Sequence, residues 1–282
     1  MNSETTRAIG VFDSGIGGLT VVRSLMERLP FENIIYFGDT ARVPYGIKSV
    51  ETINRYAAQI TDFLIKKDVK LLIVACNTMA AVAHQTIVDL SNVPVAAVAT
   101  QKIVKQVPVL EVIDASARIA IKNTKSKSIG VIGTPATINS NAYARAIHLL
   151  DKDAKVFSQA CPLFVPLVEE GWFDHQATKL IAQEYLKPVI AEKIDTLVLG
   201  CTHYPLLKPL LQDIMGKGVN LIDSAEAMAD IAADLIDKQK IANKTGPPPN
   251  YVFYVSDVPY RFQTIGERFL GRTLGRVELV SL

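Results

Sequence analysis

Two cysteines in this sequence stand in closely similar settings, far apart along the chain. Cys76 follows the apolar run Leu71–Ala75 and begins the letters CNT, whereas Cys201 follows Thr196–Leu199 and a glycine and begins CTH. A thiol at a helix N-terminus is favoured as thiolate, and its pKa can fall by several units from about 8.5. Two such thiols facing one cleft would form a symmetric pair, with one group acting as base while the other acts as acid.

Three kinds of thiol chemistry fit this pair to different degrees. A disulfide oxidoreductase usually carries its thiols as C-x-x-C, and that spacing is absent here. A covalent thiol enzyme uses one cysteine and an activating histidine; His203 is close to Cys201, but Cys76 then has no role. Stereoinversion at a carbon atom uses two groups on opposite faces, and this need matches a symmetric pair. The third cysteine, Cys161, is interpreted as a buried core residue.

Small polar residues follow the other predicted strands as well. The letters DSGIGG (13–18) do not complete the dinucleotide motif G-x-G-x-x-G, and we interpret them as a tight turn whose N–H groups can bind a carboxylate. Asp13 would bind an ammonium group or act as a nearby base, and Ser14 would donate a hydrogen bond. Tyr45–Gly46 is interpreted as a lid turn over the site. The carboxylates and amine of an amino acid could be held by Asn77, Thr78, Thr202 and His203, although helix capping explains each of these equally well.

The segments that must position these residues alternate between two patterns. Short β-branched runs predict strands over Ala8–Phe12, Ile34–Phe37, Leu71–Ala75, Ser128–Ile132, Lys155–Phe157, Thr196–Leu199 and Asn220–Ile222. Apolar residues at helical spacing predict helices between them, as over Leu19–Leu29, Ser49–Lys66 and Asp174–Ala191. A later pair, YVFYVSD and RFQTIGERFLG, predicts a last strand and helix. This alternation predicts an α/β fold with mostly parallel sheets, in which ligands bind beyond the carboxyl ends of the strands.

The arrangement occurs twice along the chain. The segment DVKLLIVACNT resembles KIDTLVLGCTH, and further upstream AIGVFDSG resembles SIGVIGTP in the same order. Asp13 precedes Cys76 by 63 positions, and Thr134 precedes Cys201 by 67. We therefore predict two similar, pseudo-symmetric three-layer α/β domains that face each other across a cleft holding the active site. The boundary between them is expected near Ala99–Glu111.

Composition limits the possible functions. The 282 residues are 49% hydrophobic and 21% charged with a formal net charge of +2, so neither nucleic acid nor a membrane surface is indicated as a partner. No apolar run approaches the roughly 20 residues that span a bilayer, and no secretory signal is visible. Three isolated cysteines suggest neither a disulfide framework nor a zinc site. We expect a cytoplasmic protein with reduced thiols and no bound metal.

The motifs as an ordered set resemble those of a known family. From Ile9 to about Gly271 the chain is similar to the glutamate racemases of the aspartate/glutamate racemase superfamily, on the segments VFDSGIGGLTVVRSL, YFGDTARVPYG, VACNTMAA, GVIGTPATINSNAY, PLVEEGW and LGCTHYPLL. The resemblance implies a cofactor-independent isomerase that interconverts L- and D-glutamate and supplies D-glutamate for peptidoglycan. It also implies a homodimer, and two domains made of residues 1–98 with 207–282 and of residues 99–206.

The resemblance further implies roles for individual residues. The two cysteines would be the bases, with Cys76 associated with D-glutamate and Cys201 associated with L-glutamate. Asp13 and His203 would tune the thiols, with Glu169 as a further acidic group near the site. The implied substrate contacts are Asp13, Ser14, Tyr45, Gly46, Asn77, Thr78, Thr134, Thr202 and His203.

Two alternatives and one departure accompany this interpretation. Another activity of the superfamily, aspartate or hydantoin racemisation, is the closest alternative. A non-catalytic binding protein, such as a partner of DNA gyrase, is the other, and nothing in the sequence supports it. The departure is the stretch ATQKIVKQVPVLEVIDASARIA (99–120), which carries about a dozen residues more than the family pattern near the expected hinge.

Overall fold

Strands and helices alternate along nearly the whole chain. A computed structural model describes residues 4–92, 106–244 and 247–282. The strands in these ranges are β1 (Ile9–Asp13), β2 (Ile34–Gly38), β3 (Leu71–Val74), β4 (Val109–Glu111), β5 (Ser128–Gly133), β6 (Lys155–Ala160), β7 (Thr196–Gly200), β8 (Asn220–Ile222), β9 (Tyr251–Val255) and β10 (Arg276–Leu279). Residues 99–105, the first part of the stretch 99–120 that departs from the family pattern, lie outside the described residues.

Helices connect the strands on both sides of the sheets. They are α1 (Leu19–Arg28), α2 (Val50–Lys66), α3 (Asn77–Asn92), α4 (Val112–Asn123), α5 (Pro135–Asn139), α6 (Ala142–Leu150), α7 (Phe164–Glu169), α8 (Gln176–Ala191), α9 (Lys208–Met215), α10 (Ser224–Lys238) and α11 (Pro259–Leu270). Short 3₁₀ turns cover Thr40–Arg42, Tyr45–Ile47 and Tyr204–Leu207. None of the helices in the described ranges is both long and apolar enough to cross a bilayer.

The strands form two parallel sheets with the same internal order. The first sheet runs β10-β9-β2-β1-β3-β4 and the second runs β6-β5-β7-β8, and every described pairing is parallel. The order β2-β1-β3-β4 of the first sheet is thus repeated as β6-β5-β7-β8 in the second. The predicted α/β fold with two similar, mostly parallel sheets is confirmed.

Strand pairing does not follow the domain limits that the resemblance implies. β4 pairs with β3 of the first sheet, although residues 99–206 were expected to form the second domain. β8 pairs with β7 of the second sheet, although residues from 207 onward were expected to return to the first. The chain therefore crosses between sheets after β4 and again after β8. The domain limits at residues 98 and 206 stay a prediction. In the structure, the chain changes sheet further along than each of these limits, after β4 and after β8.

Two strands were not predicted, and both lie at the edges of the first sheet. β4 has three residues and β10 has four, and none of their side chains is fully buried. Edge strands of this length carry neither a long apolar run nor a clear alternation, so pairing with a neighbour creates them rather than local preference. The central strands β1, β3 and β7 are buried along their whole length, which is why their apolar runs were visible in the sequence.

A buried ion pair joins several segments at the edge of the first sheet opposite the strand ends that carry the cysteines. Lys70 Nζ lies 2.5 Å from Glu32 Oε2, and both side chains are 1% exposed. The same ammonium group donates hydrogen bonds to the carbonyl oxygens of Thr5 and Ile241, each at 2.8 Å. The Asn243 N–H donates to the other oxygen of Glu32 at 2.7 Å. The pair therefore fixes the N-terminal segment and the segment after α10 against β3.

Removing one member of this pair is expected to destabilise the fold strongly. In Lys70→Met the Glu32 carboxylate stays buried without its cation, and we expect the free energy of unfolding in urea to fall by at least about 3 kcal/mol. The double variant Lys70→Met/Glu32→Leu should regain most of that loss, because no buried charge is left unpaired. The exposed pair Lys66–Asp62 is the control, and Asp62→Asn should cost about 0.5 kcal/mol or less. A loss in Lys70→Met no larger than in the control would contradict this account.

Candidate active site

A cavity of about 330 Å³ lies between the carboxyl ends of the two sheets. Ser14 and Cys76 reach it from the ends of β1 and β3, and Thr134 and Cys201 reach it from the ends of β5 and β7. Its lining includes these predicted site residues: Ser14, Tyr45, Gly46, Cys76, Asn77, Thr78, Thr134, Glu169, Cys201, Thr202 and His203. Asp13 is fully buried directly behind Ser14. The two equivalent strand ends of each sheet thus contribute to one site.

An apolar wall completes the cavity and was not foreseen. It consists of Val43, Pro44, Ile47, Pro135, Pro162, Val165 and Pro166. These residues come from the turn before α2, the start of α5 and the region around α7. The sequence contains only a weak indication of this wall, namely that each of its stretches follows or borders a strand-end motif. An apolar wall lowers the local dielectric, so the polar groups around the cavity interact more strongly with a ligand than they would in water.

The Cys76 thiol is held between a strand end and a helix start. It donates to Ser14 Oγ at 3.5 Å and accepts from the Met79 backbone N–H at 3.5 Å. The Cys76 carbonyl accepts from the Ala80 N–H at 2.9 Å, so the residue caps α3. The side chain is only 4% exposed.

The pKa of Cys76 lies above the ordinary thiol value, and the predicted lowering by the helix N-terminus is wrong at this residue. Burial raises its pKa to about 12 together with the charge of Asp13, while hydrogen bonds from Ser14 and Met79 oppose the shift only in part. Desolvation disfavours the charged sulfur more than the helix start favours it. At neutral pH, Cys76 is therefore a thiol.

Asp13 occupies the last position of β1. Its Oδ2 accepts from the Gly15 N–H at 3.0 Å, in the turn that leads into α1. Burial raises the pKa of this carboxyl group, whereas the charge of His203 and nearby backbone N–H groups oppose that shift. Asp13 ends a strand of the first sheet and His203 follows a strand of the second, so this interaction couples the two halves of the site electrostatically.

The second thiol has a basic neighbour instead of an acidic one. Cys201 Sγ lies 3.9 Å from His203 Nδ1, and His203 Nε2 lies 3.1 Å from Glu169 Oε1. Burial alone would lower the pKa of His203, but the hydrogen bonds and charges of Cys201 and Glu169 outweigh it and raise the pKa to about 10. His203 is therefore an imidazolium at neutral pH, and its two ring N–H groups point to the sulfur and to the carboxylate. The edge of this ring also contacts Phe269, with 5.2 Å between ring centroids.

Hydrogen bonds between polar side chains cross the cleft beside the thiols. Thr78 Oγ1 lies 3.0 Å from Thr134 Oγ1 and 3.4 Å from Thr137 Oγ1, and all three hydroxyl groups are buried. Tyr143 donates to Asn77 Oδ1 at 2.5 Å, again between residues that follow different sheets. The sequence singled out Asn77, Thr78 and Thr134 but neither Thr137 nor Tyr143, because only the folded structure brings α3, α5 and α6 together.

The turn that carries Tyr45 is anchored from behind by a buried carboxylate. The Tyr45 hydroxyl donates to Asp39 Oδ2, which also accepts from Arg42 Nε at 2.6 Å. Ser256 Oγ donates to the other oxygen of Asp39 at 2.7 Å. The Tyr45 hydroxyl is therefore committed to Asp39, and the residue borders the cavity with its ring and backbone. Asp39 stands in the sequence GDTARVPYG, but nothing there indicated this contact.

Gly17 marks the closest approach of the two halves. An added Cβ at this position would overlap Thr202 Oγ1 and lie 2.6 Å from His203 Nδ1. Because there is no space for a Cβ, only glycine allows this contact. Thr202 and His203 follow β7, whereas Gly17 precedes α1, so the contact joins the two halves. Gly46 has a similar role, since its Cβ would lie 2.7 Å from Thr134 Cβ.

Comparison with known proteins shows the family of this chain. The family described as Asp/Glu/hydantoin racemase matches residues 96–232. A glutamate racemase of Syntrophus aciditrophicus is 66% identical to this chain over 100% of the chain and 99% of that protein. One from Neisseria meningitidis is 55% identical over 98% and 97%. The chain belongs to the glutamate racemase family.

A solved structure of the family has the same overall fold. The crystal structure of glutamate racemase from Francisella tularensis in complex with D-glutamate is 43% identical, covers 98% of each chain and has a TM-score of 0.88. The RacE1 isoform from Bacillus anthracis is 38% identical with a TM-score of 0.89, over 99% of this chain and 98% of that one. Family membership makes the chain an amino-acid racemase, an isomerase, and agrees with two α/β domains.

The raised pKa of His203 should make folding stability fall as pH rises. The pKa is about 6.5 in the unfolded chain and about 10 in the folded protein, so the contribution is complete below about pH 6.5 and is lost on approaching pH 10. Over this range the free energy of unfolding should fall by about 1.4 kcal/mol per pH unit from this group. In His203→Gln that slope should be absent from urea unfolding measured across the same range. Equal slopes in both proteins would show that the folded imidazole is neutral.

Gly17→Ala is expected to separate the two halves of the site. Since the new methyl group has no room beside Thr202 and His203, the two cysteines should react faster with a thiol reagent such as iodoacetamide than their 4% and 6% exposure allows in the wild type. Gly218→Ala is the control, because a Cβ there meets no atom within 4 Å. Unchanged labelling rates of Cys76 and Cys201 in Gly17→Ala would contradict this prediction.

Proposed function

We propose that the protein interconverts L- and D-glutamate by proton transfer between Cys76, Cys201 and the two faces of the substrate α-carbon. The observation that carries the proposal is that two thiols from equivalent strand ends of different sheets line one cavity. Relatives named glutamate racemase, and the D-glutamate in the Francisella structure, support glutamate as the substrate.

The reaction requires removal of a weakly acidic proton. In one direction the Cys76 thiolate takes the α-proton and the Cys201 thiol delivers a proton to the opposite face, so the configuration inverts. After this turnover Cys76 is a thiol and Cys201 is a thiolate. These are the protonation states from which the reverse direction starts, with the two roles exchanged. Hydrogen bonds to the carboxylates and an apolar wall would stabilise the intermediate carbanion.

The neighbours of the two thiols suit these roles. Because Cys76 carries its proton at neutral pH, that proton must pass to a nearby base, for which we propose Asp13, before the sulfur can act as base. The ammonium group of the substrate near Asp13 would offset the negative charge that this step leaves on the sulfur. On the other side, the His203 imidazolium can donate to the Cys201 sulfur when it is negative, and Glu169 holds the ring. Asp13, His203 and Glu169 are thus proposed to support proton transfer by the thiols.

The polar groups that line the cavity are candidate contacts for the carboxylates and the amine of glutamate. We propose that the substrate is held by Ser14, Tyr45, Gly46, Asn77, Thr78, Thr134, Thr202 and His203, with Asp13 beside the amine. Tyr45 would contribute through its backbone and ring, since its hydroxyl is bonded to Asp39. No cofactor is required by this scheme, because the thiols and hydrogen-bond donors supply each proton and charge contact. The supply of D-glutamate to peptidoglycan, a homodimer and a cytoplasmic location belong to the same proposal and rest on the resemblance.

Replacement of either thiol is expected to abolish most of the activity. Cys76→Ser and Cys201→Ser should each lower kcat by at least about 100-fold in both directions, because a hydroxyl is a far weaker acid than a thiol. Racemisation is followed by circular dichroism, starting from each enantiomer. Cys161→Ser is the control, since Cys161 is buried outside the cavity lining, and its rate should stay close to that of the wild type.

The same assay separates this proposal from its alternatives. In deuterated water the product should carry deuterium at the α-carbon, as exchange through a thiol requires. Wild-type turnover in either cysteine variant would reject the two-base mechanism while leaving the substrate assignment intact. Turnover of aspartate without turnover of glutamate would reject the substrate and leave the mechanism in place.

A further inference from the structure

We propose that Tyr143 is a positioning residue, which holds the Asn77 amide with its N–H groups facing the cavity and so makes that position select a carboxylate. The inference rests on the proposed function in taking glutamate as the ligand. Tyr143 itself does not line the cavity, and its side chain is 2% exposed. Its effect on a ligand would therefore pass through Asn77.

The polar atoms of Asn77 have different surroundings. Oδ1 accepts the hydrogen bond from the Tyr143 hydroxyl at 2.5 Å. Nδ2 is buried and has no hydrogen-bond partner among the described residues, although Asn77 borders the cavity. A buried donor without a partner is costly, so the arrangement is favourable only when a ligand supplies an acceptor. An amide turned the other way would present Oδ1 and would suit an ammonium group instead.

Packing fixes the Tyr143 ring that sets this orientation. The ring lies against the backbone of Gly200, where an added Cβ would be 2.9 Å from the ring Cε2 atom. Burial also raises the pKa of the Tyr143 phenol, so its hydroxyl keeps its proton and remains able to donate. Gly200 directly precedes Cys201, and the ring is therefore placed by the same strand end that delivers one of the thiols.

The contact also links ligand recognition to the approach of the two halves. Asn77 begins α3, which follows the first sheet, while Tyr143 lies on α6, which follows β5 of the second sheet. The amide can be held in this way only while the two sides are together. The carboxylate-binding orientation is then a property of the closed arrangement, and a ligand that needs it favours closure.

The first experiment removes one hydroxyl group. Tyr143→Phe should lower kcat/KM for glutamate by about 2- to 10-fold, the usual effect of losing one hydrogen bond, mainly through a higher KM. Asn77→Ala should have a larger effect, and adding Tyr143→Phe to it should change nothing further, because Tyr143 acts through Asn77. A purely structural role would instead give multiplicative effects of the two changes and a lower melting temperature in both backgrounds.

Tyr204→Phe is the matched control for this cycle. Tyr204 is equally buried on the same side of the cleft, and its hydroxyl donates to the Cys161 carbonyl at 2.8 Å rather than to a cavity residue. Its effect should multiply with that of Asn77→Ala. The same non-additivity for Tyr204 as for Tyr143 would overturn the proposal.

The second experiment leaves Tyr143 in place and decides the orientation directly. In Asn77→Asp one oxygen can keep the Tyr143 hydrogen bond, so the other faces the cavity in place of an N–H donor. We expect the affinity for D-glutamate, measured by calorimetry, to fall by more than about 10-fold, since carboxylate would face carboxylate. Equal or tighter binding would mean that Asn77 presents its oxygen to the amine, and would overturn the proposal.

Binding and turnover together separate this inference from the proposed function. Wild-type protein that binds glutamate without racemising it would reject the proposed function. Glutamate affinities of Tyr143→Phe, Asn77→Ala and the double variant would then still decide the role of Tyr143. Wild-type protein that racemises glutamate, with Tyr143→Phe unchanged in KM and affinity, would reject the role of Tyr143 alone. Wild-type protein that binds no glutamate would reject both.

Discussion

The proposed mechanism depends on one constraint: two thiols must approach one small cavity from opposite sides, and a single parallel sheet has one carboxyl edge. The chain meets this constraint by building the order β2-β1-β3-β4 and repeating it as β6-β5-β7-β8. Because β1 and β3 are neighbours in register, Asp13 and Cys76 emerge side by side. The pairing of β5 with β7 brings Thr134 and Cys201 together in the same way. Two edges facing each other then supply opposed groups that no single edge could provide.

The backbone is repeated, but the electrostatics of the two sides are opposite. A carboxylate lies behind Cys76, and the pKa of that thiol is raised to about 12. An imidazolium with a pKa of about 10 lies beside Cys201. Since the charge of His203 also acts on Asp13, each charged neighbour stabilises the other across the cavity. The charged neighbours of the two thiols are therefore of opposite sign, and Cys76 carries its proton at neutral pH.

Sequence patterns predicted the parts of this site that depend on local order. Every predicted strand is present, and the strand ends led to several of the polar groups around the thiols, because an apolar run that stops at a small polar residue is a local signal. Properties that arise from folding were out of reach. The pKa of Cys76 depends on desolvation by distant segments, the Asp39 contact commits the Tyr45 hydroxyl, and β4 and β10 exist only through pairing. Tyr143 ends the quoted segment GVIGTPATINSNAY, but its proposed role depends on its contact with Asn77, which only the fold creates.

The contacts that close the site are small and polar, and this has a consequence for its opening. Thr78, Thr134 and Thr137 meet through hydroxyl groups, and Gly17 meets Thr202 and His203 without a side chain of its own. When such groups separate, water replaces each lost hydrogen bond, and the net cost is about 1 kcal/mol per bond rather than that of exposing an apolar interface. Closure is then finely balanced, and a ligand that satisfies the buried Asn77 N–H groups can shift it. Groups proposed to bind the substrate, such as Thr78 and Thr134, also hold the halves together, so ligand binding and closure would be coupled in this site.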